Sequence, residues 1–74
     1  MSHKLDVRGL VCPLPVLRAR KAIASVPKGA LLEILVTDPM APTDIAAFCQ
    51  TAGHELVSTT EAGGTTTITI RRVS

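Results

Sequence analysis

The sequence contains no tryptophan or tyrosine and a single phenylalanine, Phe48. Proteins that read single-stranded nucleic acid normally stack bases on aromatic side chains, so direct nucleic-acid binding of that kind is disfavoured. No apolar run approaches the ~18 residues needed to cross a bilayer, and Met1-Ser2-His3-Lys4-Leu5-Asp6 lacks the apolar stretch of a signal peptide. A soluble, cytoplasmic chain with no direct membrane contact is expected. Cysteine is scarce as well: Cys12 and Cys49 allow one disulfide at most, whereas small secreted scaffolds use several, and Cys-x-x-Cys spacing is missing. Reduced thiols are the expectation.

What is present suits one small domain spanning 1–74. The 74 residues are 46% apolar and 19% charged, without low-complexity tracts, and a chain of this size buries about 60% of its unfolded surface. Charge is divided unevenly along it. Met1 to Lys28 holds six basic residues, Lys4, Arg8, Arg18, Arg20, Lys21 and Lys28, against Asp6, a net of +5. Gly29 to Ile70 holds five acids, Glu33, Asp38, Asp44, Glu55 and Glu61, with no lysine or arginine. A basic first third can steer an acidic partner or an anionic ligand, and it can equally be a solvated helix face.

Hydrophobic periodicity outlines six elements. Leu5-Asp6-Val7-Arg8 alternates as a short strand with Leu5 and Val7 inward, ended by Gly9. From Pro13 to about Val26, apolar Val16, Ala19, Ile23 and Val26 form one stripe of a helix, opposite Arg18, Lys21 and Ser25. Leu31 to Val36 is apolar at both parities, as expected of a central strand buried on most of both faces. Pro42 opens a second helix with Ile45, Phe48, Cys49 and Ala52 on one side, closing near Gly53. His54 to Glu61 and Thr65 to Arg72 then read as strands joined at Ala62-Gly63-Gly64, with Ile68 and Ile70 inward. The fold class is α+β, a two-layer α/β sandwich of order β-α-β-α-β-β. Right-handed crossovers place both helices on one face of a four-stranded mixed sheet and leave the other face open.

Cys12 is the residue with chemical meaning. In Cys12-Pro13-Leu14-Pro15 the first proline has its φ preset for a helix start, so the thiol falls near the helix's positive end. Together with Arg8, Arg18 and Lys21, that position predicts a lowered thiol pKa and a usable nucleophile, with Pro13 and Pro15 stiffening the loop. The two histidines, His3 in a frayed terminus and His54 at the start of the third strand, are not paired with Cys12, which disfavours hydrolytic chemistry. Cys49 lies on the apolar stripe of the second helix and reads as a core thiol first and a resolving thiol second. One activated thiol without further machinery suggests a carrier. Two other readings stay open on the residues alone: a small packed side chain, and a thiolate ligand for haem iron or a soft metal.

Gly9-Leu10-Val11-Cys12-Pro13-Leu14-Pro15, Asp38-Pro39-Met40-Ala41-Pro42-Thr43-Asp44-Ile45-Ala46-Ala47-Phe48-Cys49 and Gly53-His54-Glu55-Leu56 resemble the TusA/SirA-like sulfur-carrier family. The resemblance covers nearly the whole chain and includes both the Cys-Pro-x-Pro motif and the Asp-Pro helix start. It implies that Cys12 carries sulfane sulfur as a persulfide, without metal or organic cofactor. It also implies a cysteine desulfurase or rhodanese as donor and a protein cysteine as acceptor. Family destinations include tRNA 2-thiouridine formation, molybdenum cofactor maturation and sulfur oxidation. Leu14 and Val11 stand where the best-known tRNA-thiolating members carry an acid and an arginine, so these two positions are expected to bear on partner choice. Asp38 and Asp44 read as structural, Asp44 being favoured by the start of the second helix. The competing class is a noncatalytic regulatory or RNA-binding module whose basic helix contacts nucleic acid, an argument from fold analogy.

Overall fold

The period-two and helical patterns resolve into six elements in the computed structural model, which describes residues 3–74; Met1 and Ser2 lie outside the described residues. They are β1 (His3–Asp6), α1 (Leu14–Ile23), β2 (Leu31–Val36), α2 (Ala41–Ala52), β3 (Glu55–Ala62) and β4 (Thr65–Arg71). The sheet has the order β1-β2-β4-β3, with β1 parallel to β2 and the other pairs antiparallel. β3 therefore runs parallel to β2, and both β1-α1-β2 and β2-α2-β3 are crossovers that step the same way across the sheet. Two right-handed crossovers stepping one way must lie on one face, which yields the two-layer α+β sandwich.

The covered face carries the core. Leu32, Ile34 and Val36 of β2 and Ile68 and Ile70 of β4 are buried there against Ala19 and Ile23 of α1 and Ile45, Phe48 and Cys49 of α2. Pairing aligns Leu32 with Ile70 and Ile34 with Ile68, so the two central strands present one continuous apolar surface. β2 is not buried on both faces as its composition suggested. Leu31, Glu33 and Leu35 alternate with the core residues and stay partly exposed on the uncovered side, where Lys4 Nζ lies 3.9 Å from Glu33. The two leucines that blurred the alternation sit on the open face, whose other central positions are Thr67 and Thr69 of β4.

Element ends follow local chemistry. β1 begins at His3 rather than Leu5, because pairing with β2 starts at His3 opposite Leu32; His3 is thus a half-buried strand residue and not part of a frayed end. Val7, beyond the strand, is buried and its N–H donates to the Leu35 carbonyl at 2.9 Å. α2 stops at Gly53, whose φ of 81° is left-handed and suits glycine best. The β3–β4 connection uses Gly63 and Gly64 at φ 60° and 82°, as the tight turn of a right-twisted hairpin requires. Arg72 fastens the end of α1 and the turn after it: its Nη1 donates to the carbonyl of Ala24, the residue that caps the helix, at 3.1 Å and to that of Val26 in the following turn at 2.8 Å, satisfying acceptors that have no partner within the helix.

Ile34 is fully buried at the centre of this layer. Ile34→Ala is expected to lower unfolding stability by about 2–5 kcal/mol, a large share of the ~4–11 kcal/mol typical of this length. Urea denaturation followed by circular dichroism measures it, and a loss below about 1 kcal/mol would contradict this packing.

Candidate active site

Parallel pairing of β1 and β2 delivers the chain after each strand to the same end of the sheet. After β1, the Gly9 N–H donates to the Thr37 hydroxyl at 2.9 Å, and the Cys12 N–H donates to Asp38 Oδ2 at 3.3 Å. The loop before α1 is in this way laid against the loop before α2. Asp44 stands in the first turn of α2, and the Cys12 thiol donates to its Oδ2 at 2.9 Å. Cys12 itself is exposed and is a free thiol.

The thiol opens into a shallow cleft of about 430 Å³ between the two helices. One wall is Pro13, Val16 and Arg20 from α1 and its start, and the other is Asp44, Ala47, Phe48 and Thr51 from α2. The spacing of four between Val16 and Arg20, and of three and four from Asp44 to Thr51, is that of helix faces turned toward each other. The lone aromatic ring has its place here. The Arg20 guanidinium lies 5.5 Å from the Phe48 ring centre, and the His54 ring packs on Phe48 at 5.7 Å. His54 Nδ1 accepts from the Val73 N–H at 3.2 Å, so this histidine braces the segment after β4 against α2 and is no base for Cys12. Among the described residues, no three His, Cys, Asp or Glu side chains gather as a metal-holding cluster.

The family profile described as "Sulfurtransferase TusA" matches residues 3–72, all but the ends of the chain. The chain belongs to the TusA sulfurtransferase family. A Neisseria meningitidis serogroup A relative, provisionally named a sulfur carrier protein, is 47% identical over 70 residues, covering 95% of each chain. The sulfur carrier protein TusA of Pseudomonas syringae pv. syringae is 41% identical over 100% of this chain and 88% of its own. The crystal structure of a SirA-like protein from Desulfitobacterium hafniense superposes with a TM-score of 0.84 at 26% identity over 100% of both chains. A role in sulfur transfer, as a sulfur carrier, follows for the TusA-like chain.

Within this TusA-like site the electrostatics run opposite to the expectation drawn from the helix start. The hydrogen bond to Asp44 raises the Cys12 pKa above its ordinary value; desolvation and the negative charges of Asp44 and Asp38 push the same way. The helix end is a weak counterweight. Pro13 caps α1 and Pro15 lies in its first turn, neither brings an N–H, and the Leu14 N–H donates to the Val11 carbonyl at 2.9 Å, so this helix start offers a thiolate fewer donors than usual. Nor do the expected cations supply the field. Arg8 is held by Asp6 in a two-pronged bond at 2.9 and 2.7 Å, which holds the Asp6 pKa down at about 2. Arg18 and Lys21 are exposed and do not line the cleft; Arg20 does.

Sequence reasoning missed Arg20 and the role of Asp44. For Arg20, the i, i+4 spacing from Val16 was a usable signal, because it places the guanidinium on the wall that begins at Pro13. Asp44 gave no local signal, since its partner lies 32 residues away. Cys49 is 2% exposed, and burial raises its pKa, as for an inert packed thiol. Val11 and Leu14 are 63% and 41% exposed beside the thiol.

The raised Cys12 pKa has a defined sign. Thiolate, the form that alkylates, appears only as pH rises through a midpoint displaced upward. Iodoacetamide alkylation of the Cys49→Ser chain, followed against pH by intact mass, is expected to give a midpoint above that of free cysteine in the same buffers. A midpoint below free cysteine would contradict the arrangement around Cys12.

Proposed function

We propose that the chain carries sulfane sulfur as a persulfide on Cys12, taking it from a cysteine desulfurase or a rhodanese and passing it to a cysteine of an acceptor protein. The observation that carries this reading is the pairing of an exposed free thiol at Cys12 with a buried one at Cys49 in a chain of a sulfurtransferase family. In each transfer one sulfur–sulfur bond forms as another breaks. Cys12 sulfur attacks the outer sulfur of the donor persulfide, the donor's inner sulfur departs with the bonding pair, and an acceptor thiolate later repeats the step on Cys12. The sulfur atom moves without net oxidation, so no metal or organic cofactor is needed. A cytoplasmic setting fits, because thiols stay reduced there.

The surroundings of Cys12 support docking to proteins. Val11 and Leu14 flank Cys12-Pro13 in the chain, Leu17 lies one turn further along α1 and Met40 caps α2, and all four are large apolar side chains between 41% and 63% exposed. Exposed large apolar side chains next to a reactive group suit contact with a partner protein. Arg18, Lys21 and Arg20 along α1 add positive charge, suited to steering partners with acidic rims.

Incubation with a cysteine desulfurase and cysteine, then intact-mass analysis without reductant, tests the proposal. Wild type and Cys49→Ser are expected to gain one dithiothreitol-removable sulfur and Cys12→Ser none, with a rhodanese and thiosulfate as the second donor. Loading of folded Cys12→Ser, or no loading of wild type by either donor, would overturn it.

A further inference from the structure

The Cys12 thiol and the Asp44 carboxylate lie 2.9 Å apart with the sulfur donating, an arrangement that fits an empty thiol and does not fit a loaded one. When sulfur is added, Sγ bonds to the outer sulfur and no longer carries a proton to donate. An alkyl persulfide is a stronger acid than its parent thiol, so near neutral pH the loaded group is an anion facing a carboxylate. We propose that Asp44 is a release residue: its carboxylate bonds the sulfur-free thiol of Cys12 and repels the Cys12 persulfide, so that the carrier favours its empty form and hands sulfur on. The inference rests on the persulfide reading given above.

Every charged group that meets Cys12 enters this balance. Asp38 approaches from the loop after β2 and binds the Cys12 N–H, so a second carboxylate adds to the repulsion. Arg20 is the cation of the opposite wall, and its guanidinium, over the Phe48 ring, is the group to which a persulfide anion turning away from Asp44 is drawn. The exchange balances in atoms and charge. A donor persulfide anion and the Cys12 thiol yield the Cys12 persulfide anion and the donor thiol; the Cys12 proton ends on the donor sulfur, and the transferred sulfur keeps its oxidation state. Asp44 is unchanged by the cycle and acts only on the relative free energies of the two forms.

The equilibrium of sulfur exchange between the protein and glutathione persulfide with glutathione reads this directly, because a small donor removes any effect of protein docking. Loaded and empty fractions are measured by intact mass at neutral pH in the Cys49→Ser chain, with and without Asp44→Asn. The exchange constant is expected to move toward the loaded form by about threefold or more in Asp44→Asn, while the alkylation midpoint of Cys12 falls. Glu55→Gln, the same charge change at the opposite end of the sheet, is expected to alter neither; Asp44→Ser gives a second reading if the asparagine variant does not fold. An unchanged constant, or a shift toward the empty form, in a folded variant would overturn the role of Asp44 and leave the carrier reading standing. Absence of any loading in the Cys49→Ser parent would overturn both.

Discussion

The parallel pairing of β1 with β2 is the constraint on which the site depends. Were these strands antiparallel, the loops that follow them would leave opposite ends of the sheet, and Cys12 would sit a strand's length from Asp38 and Asp44. Because they run the same way, each strand's carboxyl end feeds the start of a helix at one edge, the place where open α/β sheets commonly bind their ligands. Three contacts then fix the thiol: Gly9 to the Thr37 hydroxyl, the Cys12 N–H to Asp38, and the Cys12 thiol to Asp44. The apolar register of Leu32, Ile34 and Val36 against Ile68 and Ile70 secures the strand that carries half of this junction.

Acidity and exposure at Cys12 pull in different directions. The thiol is exposed, yet the neighbouring carboxylates disfavour its thiolate, unlike helix-start cysteines whose thiolates are stabilised by main-chain donors and cations. For a carrier this has a physical logic. A strongly acidified thiolate is exposed to oxidation and alkylation and is also a weaker attacking group.

Much of the fold was legible in the sequence because it rests on short-range patterns. The helical pair Ala19 and Ile23, the pair Ile68 and Ile70, and the glycine punctuation at Gly53 and Gly63-Gly64 all do in the structure what their spacing implied, whereas α1 ends at Ile23 and Val26, expected on the same helix, is buried from the turn after it. β2 misled because Leu31 and Leu35 on the open face look like core residues, and only the one-sided placement of the helices separates them from Leu32 and Ile34. In the candidate site, the exposure of the Cys12 thiol was legible and its surroundings were poorly so. Charges were counted by proximity in sequence, whereas Arg8 is taken up by Asp6 and the decisive neighbour, Asp44, arrives through tertiary structure. The prolines that set the helix start and stiffen the loop also leave fewer main-chain donors to stabilise an anion there.

The central claim, that strand topology presses the Cys12 thiol onto the Asp44 carboxylate, is tested most directly by the infrared S–H stretch of the Cys49→Ser chain, in which Cys12 is the only thiol. The account predicts a band lowered in frequency and intensified by hydrogen bonding to a carboxylate, returning toward the free-thiol position in the additional presence of Asp44→Asn. A free-thiol band that is the same with and without that substitution would contradict it.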